Sequence, residues 1–174
     1  NLEVGFSEEL SLFQLNEFPS PTKMFNENYP FFSGSSEYMK KHFFNYFNWI
    51  KKNYLNGKSN IIEIGSNDGT MLLNFKNEGF EYIGFEPSKN VAKKAKENNI
   101  NTLVEFFCYK NVSLLSKFKH NTDVICAANV ICHIPDLTDL IKSVDLMLTS
   151  KGVFIFEEPY LGSMFDKISY DQIY

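Results

Sequence analysis

Short apolar runs alternate with amphipathic stretches along the chain from Asn60 onward. The apolar runs recur at a spacing of about twenty residues, at 60–64, 82–85, 103–107, 123–128 and 152–157. Helical periodicity marks the stretches between them, at 70–77, 88–98, 112–118 and 137–148. Continuous apolar strands that alternate with helices are typical of a parallel sheet covered on both faces. The pattern therefore predicts an α/β protein with a doubly wound, Rossmann-like, mostly parallel sheet.

The pattern differs over residues 1–57, which we interpret as an N-terminal extension of loop and helix. A short strand is predicted at 10–18 and is followed by a loop rich in proline and asparagine. An aromatic-rich helix is predicted at 36–54, with Ser35 or Ser36 as its N-cap. Apolar residues recur along it at helical spacing, which favours core packing over a ligand site: Phe43, Phe44, Phe47 and Ile50. Residues 58–174 then form the Rossmann-like core.

The composition excludes several classes of function. The 174 residues carry a net charge of -4, and all 17 positive side chains are lysines. An acidic balance disfavours nucleic-acid binding, and without arginine no guanidinium can clamp a phosphate. No apolar run approaches the roughly 20 residues that span a bilayer, so neither membrane insertion nor export is expected for this segment. The three cysteines form no CxxC pair, so we expect neither a disulfide scaffold nor a metal site, and the expected location is the cytoplasm.

The most specific motif follows the first core strand and has the spacing Glu63-x-Gly65-x-x-x-Gly69. Glycines at both ends of a turn between a buried strand and a helix let a ligand approach the backbone at the carboxyl end of the sheet. The spacing lacks the tight G-x-G-x-x-G of dinucleotide-binding folds. Asp68 stands where a phosphate-binding turn would face an anion. The turn therefore suits a ligand that carries an ammonium or sulfonium group.

Three further residues are predicted at the carboxyl edge of the sheet. Glu86 ends the second strand, 21 positions after Gly65, where an acidic side chain can accept both ribose hydroxyls of an adenosine. The alternative is a solvated Glu86 ahead of the next helix. Phe107, with Phe106, is a candidate for flanking an adenine, with core packing as the competing explanation. Asn129, at the tip of the fourth strand, is a candidate for orienting the cofactor or the substrate.

His133 is the strongest candidate for a general acid or base. It follows the fourth strand by a few residues, and its ordinary pKa of about 6.5 suits proton transfer. The alternative is a histidine that only caps a helix or lies in a loop. Tyr29, in the proline-containing segment, is a weaker candidate for which packing is equally plausible.

Four other polar residues are interpreted as structural. Glu157 and Glu158 close the fifth strand, and adjacent strand residues face opposite sides of a sheet, so they cannot act as a pair. Either one that faces the pocket is still able to contact substrate. His42, on the aromatic helix, and His120, in a polar turn, are interpreted as structural or solvated.

Several segments resemble the class I S-adenosylmethionine-dependent methyltransferases. Within that fold they are similar to the sugar C-methyltransferases that act on nucleotide-linked 4-keto deoxysugars. The segments that carry the resemblance are NYPFFS at 28–33, GSNDGT at 65–70, GFEPS at 84–88, ANVICHI at 128–134, EPYL at 158–161 and YDQIY at 170–174.

The resemblance implies a reaction and a set of site residues. The cofactor would be S-adenosylmethionine, the substrate a nucleotide sugar, and the reaction methyl transfer to a carbon next to a ketone through an enolate. The implied cofactor-binding residues are Glu63, Gly65, Asn67, Asp68, Gly69, Glu86, Phe107 and Asn129. The implied catalytic residues are His133 and Tyr174, with Tyr29 as a weaker candidate; a phenol can donate a hydrogen bond to a developing enolate.

Two departures from this branch affect the interpretation. Its members carry an N-terminal zinc module of cysteines and a large C-terminal domain, whereas no cysteine precedes Cys108 here, and the sequence stops before the branch's His-Glu-His stretch. We therefore expect a fragment truncated at both ends. Two alternatives stay open: an O- or N-methyltransferase of a small metabolite, or a non-catalytic interaction domain that retains the fold. The sequence does not define the sugar, the nucleotide or the oligomeric state.

Overall fold

A computed structural model describes residues 3–17 and 19–169. Its strands are β1 (Val4–Ser7), β2 (Leu12–Leu15), β3 (Asn60–Ile64), β4 (Glu81–Phe85), β5 (Thr102–Leu103), β6 (Thr122–Ala128) and β7 (Leu148–Glu157). Its helices are α1 (Pro21–Met24), α2 (Glu37–Tyr54), α3 (Leu72–Asn77), α4 (Lys89–Glu97), α5 (Tyr109–Val112), α6 (Leu137–Met147) and α7 (Leu161–Lys167). Short 3-10 turns occur at Ser33–Ser35 and Ile131–His133.

The chain divides into two compact units. The smaller unit combines Asn1–Met24 with Pro159–Tyr174 and contains the antiparallel hairpin of β1 and β2. The larger unit, Phe25–Glu158, contains the five-stranded sheet and all of the candidate site residues that the structure describes. The division at 57/58 that the sequence suggested stays a prediction.

The sheet has the strand order β5-β4-β3-β6-β7, and all four neighbouring pairs are parallel. Strand β3 lies at the centre, with β4 on one side and β6 on the other. The chain therefore winds outward from β3 in both directions, which confirms the predicted doubly wound α/β fold. In such sheets ligands bind at the carboxyl ends of the strands, where the winding direction reverses. That point is the end of β3, where the glycine turn begins.

Each face of the sheet is covered by its own apolar core, because alternate residues of a strand face opposite sides. One core contains Ile62 and Ile125 from the strands and the buried face of α6. The other contains Ile61 and Val124, and α2 packs against it through Phe43, Phe47 and Ile50. These three residues confirm the predicted packing stripe, whereas Phe44 points away from the core and is 52% exposed.

Helix α2 begins as predicted, because the side-chain oxygen of Ser36 accepts the N–H of Met39 at 3.3 Å. A serine N-cap satisfies one of the backbone donors that the first turn of a helix leaves unpaired. Ser36 is therefore the N-cap. The helix start is fixed close to the 3-10 turn at Ser33–Ser35, which lies beside the glycine turn.

Several predicted elements differ from the structure. The strand predicted at 103–107 is only Thr102–Leu103, because the chain leaves the sheet before the two phenylalanines that follow. The helix predicted at 112–118 is wrong, since α5 covers Tyr109–Val112. Leu114, within the predicted helix, is 79% exposed. The strand predicted at 10–18 is shorter, at Leu12–Leu15, and Phe18 lies outside the described residues. Neither β1 nor α7 was predicted.

Among the helices of residues 3–17 and 19–169, none combines the length and the apolar character needed to cross a bilayer.

Candidate active site

The glycine turn after β3 is a tight backbone curve at the carboxyl edge of the sheet. Gly65 and Gly69 have φ angles of +67° and +79°, a region that side chains disfavour. A Cβ on Gly65 would overlap the side chain of Val130, which follows β6. The N–H of Ser66 donates to the carbonyl of Phe85 at 2.9 Å and ties the turn to β4. The structure therefore explains why glycine stands at both positions, while their predicted role in binding a cofactor stays a prediction.

Glu86 joins this turn to the start of α4. Its two oxygens accept the N–H groups of Asn67 at 3.1 Å and Ser88 at 2.7 Å. Burial raises the pKa of Glu86, and the hydrogen bonds from Ser88 and Asn67 partly oppose that effect. The residue is 4% exposed and is thus not a solvated surface residue. A carboxylate has about four acceptor positions, so two accepted hydrogen bonds leave room for ribose hydroxyls.

Asn67 and Asp68 bind a segment that crosses the turn, residues 29–35, which we name the strap. Asn67 accepts the N–H of Ser33 at 2.8 Å through Oδ1 and donates through Nδ2 to a strap carbonyl at 3.2 Å. Asp68 accepts the N–H of Gly34 at 2.8 Å and the hydroxyl of Thr70 at 2.6 Å. The sequence predicted that both side chains face a ligand; the structure gives them structural contacts as well. The sequence predicted that this proline-containing segment brings Tyr29 over the pocket, but not these hydrogen bonds to Asn67 and Asp68.

Glu63 lies beneath the turn and is fully enclosed, with 4% exposure. Burial, followed by the charges of Asp68 and Glu86, raises its pKa well above the ordinary value. Within the described residues its Oε2 atom has no hydrogen-bond partner. A neutral carboxyl group below the turn is the result, since burying an unpaired charge costs far more than retaining a proton.

Replacing Glu63 with glutamine is expected to change how stability depends on pH. The pKa of Glu63 is higher in the folded protein than in the unfolded chain, where it is about 4.3. The contribution of Glu63 to stability is therefore fully present below a pH of about 4.3 and is lost as the pH rises toward the folded-state pKa. The Glu63→Gln variant lacks this loss, so it should gain stability relative to the wild type as the pH rises above about 5, by at most about 1.4 kcal/mol per pH unit. Urea unfolding of both proteins from pH 4 to 8 measures the difference. If the stability difference between the two proteins does not vary with pH, Glu63 is not neutral in the folded protein. The control is Glu37→Gln, which removes a carboxyl group from an 87% exposed side chain.

The turn after β6 forms the other side of the site. Asn129 has a positive φ of 56°, and its N–H donates to the carbonyl of Glu157 at 2.7 Å. The N–H groups of the next two residues, Val130 and Ile131, donate to Oε1 of Glu158 at 2.8 and 2.6 Å. The end of β7 therefore holds the turn that carries His133. Glu157 and Glu158 act on opposite sides of the strand, as strand alternation predicted.

His133 is half-buried in an aromatic environment. Burial lowers the pKa of His133, and the negative charge of Glu158 partly offsets this shift. The ring of Phe25 lies 5.7 Å from the imidazole, 5.4 Å from Tyr29 and 6.5 Å from Phe106, measured between ring centroids. The structure thus brings the two candidates His133 and Tyr29 to the same aromatic cluster. No sequence pattern pointed to Phe25, which makes all three of these contacts.

Two of the aromatic residues that were predicted to belong to the site need comment: the structure corrects the role of one, and the other lies outside the described residues. Phe107 is buried in the core and packs perpendicular to Phe85 at 5.1 Å, which favours core packing over contact with an adenine. Phe106 is the phenylalanine of this pair that reaches the cluster around Phe25. Tyr174 lies outside the described residues. His42, interpreted from the sequence as structural or solvated, lies within hydrogen-bond distance of Glu157 at the same sheet edge.

The parallel sheet, the glycine turn after its central strand and the acidic residue at the tip of the next strand define the class of nucleoside-cofactor-binding Rossmann-like methyltransferases. Residues 37–174 match the family model described as a methyltransferase domain, and the chain belongs to this family. The C-methyltransferase NovU from Streptomyces niveus is 25% identical over 114 residues, which are 66% of this chain and 27% of NovU. The chain thus spans about a quarter of the length of that curated relative.

Two solved structures have the same fold. A SAM-dependent methyltransferase from Archaeoglobus fulgidus superposes on this chain with a TM-score of 0.61 and is 20% identical in sequence. The aligned region covers 78% of this chain and 58% of that protein. The PH0226 protein from Pyrococcus horikoshii OT3 superposes with a TM-score of 0.63 and is 18% identical in sequence. The aligned region covers 87% of this chain and 67% of PH0226. The methyltransferase family and the shared fold together imply S-adenosylmethionine as the cofactor.

The residues present fit this cofactor. The turn has glycine backbone with positive φ at Gly65 and Gly69, and an unpaired buried oxygen on Glu63 lies beneath it. Two further acidic side chains, Asp68 and Glu86, lie at the turn, which suits a ligand with ammonium and sulfonium groups and disfavours a phosphate. The donor chemistry therefore agrees with the family.

Proposed function

We propose that the chain is the cofactor-binding core of an S-adenosylmethionine-dependent C-methyltransferase whose acceptor is a nucleotide-linked keto deoxysugar. The observation that carries the proposal is the similarity to NovU, a C-methyltransferase, over two thirds of this chain. A second support is the aromatic cluster beside His133, which offers an apolar, partly enclosed surface next to a group able to donate or accept a proton. The acceptor is a small molecule, and the proposal includes no nucleic acid and no membrane.

The chain's residues would hold and orient the cofactor, which supplies an electrophilic methyl group when bound. The backbone of the turn at Gly65 provides close approach, and Glu86 is positioned to accept the ribose hydroxyls. Asn129, fixed by its N–H bond to β7, would orient the amino-acid portion of the cofactor or the acceptor. Phe25 and Phe106 would exclude water from the space beside them, which strengthens polar interactions there.

Carbon methylation requires loss of a proton from the carbon next to a ketone. The electron pair of that C–H bond moves toward the carbonyl, and the resulting enolate carbon attacks the methyl group. We assign His133 to the carbonyl oxygen, where its N–H would donate a hydrogen bond to the developing negative charge, and Tyr29 to a supporting donor role. The lowered pKa of His133 favours the neutral imidazole, which retains one N–H donor. Tyr174 keeps the donor role that the resemblance implies.

A panel of acceptors tests the proposal. The protein would be incubated with methyl-labelled S-adenosylmethionine and three probes: a thymidine-diphosphate-linked 4-keto-6-deoxyhexose, a catechol and a primary amine. We expect label in the keto sugar, and mass spectrometry and NMR should place it on carbon. Transfer only to the catechol or the amine would replace the proposal with an O- or N-methyltransferase. Cofactor binding without transfer to any probe would favour the interaction domain.

A further inference from the structure

The strap is held on the glycine turn by side chains that are distant from it in sequence. Oδ1 of Asn67 accepts the N–H of Ser33 at 2.8 Å, and Nδ2 of the same residue donates to the carbonyl of Phe31 at 3.2 Å. Oδ2 of Asp68 accepts the N–H of Gly34 at 2.8 Å. Three hydrogen bonds therefore seat the middle of the strap on the turn.

Asn90 holds the beginning of the strap. It is the second residue of α4, and its Nδ2 donates to the carbonyl of Tyr29 at 2.8 Å, across 61 positions. Within the described residues, its Oδ1 atom is buried and has no hydrogen-bond partner, so the contact with the strap is what orients the amide. Pro30 follows and restricts the backbone of Tyr29. Fixing this carbonyl therefore limits where the Tyr29 ring can lie.

Both asparagines are also joined to Glu86, the carboxylate at the tip of β4. The backbone N–H of Asn67 donates to Oε2 of Glu86 at 3.1 Å, and Asn67 has a φ of +49°, which asparagine tolerates better than most residues. The N–H of Ser88 donates to Oε1 at 2.7 Å, two positions before Asn90. The residues that hold the strap are thus the neighbours of the group proposed to accept the ribose hydroxyls.

The other end of the strap reaches the aromatic cluster beside His133. The ring of Phe25 lies 5.4 Å from that of Tyr29 and 5.7 Å from the imidazole of His133, measured between centroids. The N–H of Tyr29 donates to the carbonyl of Asn26 at 3.2 Å, so a short turn keeps Phe25 and Tyr29 together. The strap therefore connects the carboxylate at the end of β4 with the cluster that contains His133.

A group that donates a hydrogen bond to developing charge must be placed accurately, since a misplacement of about 1 Å can cost about 10²-fold in rate. We propose that Asn67 and Asn90 are positioning residues, which fasten the strap to the rim of the cofactor site and thereby fix Tyr29 in the acceptor pocket. A cofactor bound at Glu86 stabilises the seated strap through Asn67. The role of Tyr29 rests on the proposed function, whereas the effect of the cofactor on the strap requires only that the cofactor binds.

Amide hydrogen exchange tests the cofactor side without any methyl transfer. NMR would follow the N–H groups of Ser33 and Gly34 with and without S-adenosylhomocysteine. A ligand that binds only the form with the strap seated suppresses its opening, so at about 100 times Kd both amides should exchange about 100-fold more slowly. The internal control is the N–H of Lys58, which the side chain of Asn56 accepts at 3.1 Å near the amino end of β3, and its exchange should not change.

Asn67→Gly tests whether Asn67 carries this effect. Glycine adopts the positive φ and keeps the backbone N–H toward Glu86, but it removes both side-chain contacts with the strap. Calorimetry should still detect binding of S-adenosylhomocysteine, while the protection of the Gly34 amide should disappear. Gly34 keeps its own acceptor, Asp68, so this change reports the seating of the strap and not a lost hydrogen bond. Wild-type protection of Gly34 in the variant would overturn the role of Asn67.

A double-mutant cycle tests the acceptor side. Asn90→Ala and Tyr29→Phe should each lower kcat for methyl transfer to the keto sugar by about 10²-fold. If Asn90 acts through Tyr29, the double variant should also lose about 10²-fold, whereas independent effects would multiply to about 10⁴-fold. Asn53→Ala is the matched control, because Nδ2 of Asn53 donates to the carbonyl of Trp49 at 2.7 Å on exposed α2, and it should keep the wild-type kcat.

The outcomes distinguish this inference from the proposed function. Protected strap amides together with non-additive losses in the cycle support it, whereas independent losses, or strap amides that S-adenosylhomocysteine leaves unchanged, overturn it. If only the catechol or the amine is methylated, the proposed function and the role of Tyr29 fail together, and the exchange of Ser33 and Gly34 still decides the role of Asn67. If Asn67→Gly does not fold, the wild-type exchange and the cycle at position 90 decide.

Discussion

Gly65→Ala is expected to destabilise the fold and to abolish detectable binding of S-adenosylmethionine. The φ of +67° costs an alanine about 1 kcal/mol relative to glycine, and the new methyl group would overlap Val130. Overpacking of this kind typically costs about 1–3 kcal/mol. Together these effects predict a loss of about 2–4 kcal/mol in the free energy of unfolding. Any shift of the turn that relieved the overlap would move the backbone that the cofactor approaches.

Chemical denaturation and isothermal titration with S-adenosylmethionine measure the two effects. Gly57→Ala is the matched control, because no atom lies within 4 Å of its added Cβ. The double variant Gly65→Ala/Val130→Ala removes the overlap but not the backbone strain, so it should recover part of the stability and show a favourable coupling energy. Wild-type cofactor affinity in Gly65→Ala would refute the placement of the cofactor at this turn.

His133→Leu is expected to reduce methyl transfer to the keto sugar by about 10²-fold to 10³-fold, the typical effect of removing one donor from a developing oxyanion. Leucine keeps the apolar packing against Phe25 but cannot donate a hydrogen bond. His133→Gln should lose less activity, because its amide can still donate, although glutamine cannot act as a base. Steady-state kinetics on both variants give the comparison, with KM for S-adenosylmethionine expected to stay close to the wild type.

The glutamine variant distinguishes the two roles that the sequence left open for His133. Equal loss in His133→Leu and His133→Gln would identify His133 as the base and contradict the donor role. Partial activity in His133→Gln and little in His133→Leu is the expected combination.

The sequence predicted the central strands well because their apolar runs are continuous and buried on both faces. β3 agrees residue for residue, and β4 and β6 agree to within one residue. The failures lie where local pattern and tertiary packing disagree. Phe107 extends an apolar run, yet the chain has already left the sheet and places this ring in the core. Leu114 has helical spacing but faces solvent.

The sequence placed the glycine turn and Glu86 correctly at the carboxyl edge of the sheet because their signals are local. The glycine spacing and Glu86 follow one strand, helix and strand in sequence order. The contacts that complete the site are long-range and leave no local pattern. The strap reaches Asn67 and Asp68 from 34 positions away, and His42 meets Glu157 across 115 positions. Burial decides the protonation of Glu63, and burial of that carboxyl group is a property of the assembled fold.

The central position of β3 also affects how the molecule folds. The pairing of β3 with β4 closes a short loop, since Ile61 lies opposite Tyr82. The pairing of β3 with β6 joins Asn60 to Asp123 through a hydrogen bond that spans 63 positions. Contacts of such sequence separation form late and slow the folding of a chain, because ordering the intervening segment costs entropy before the contact stabilises it. The turn at Gly65 can thus close early, whereas Val130 and His133, which follow β6, meet it only when β6 docks. We therefore expect the complete pocket to form late in folding.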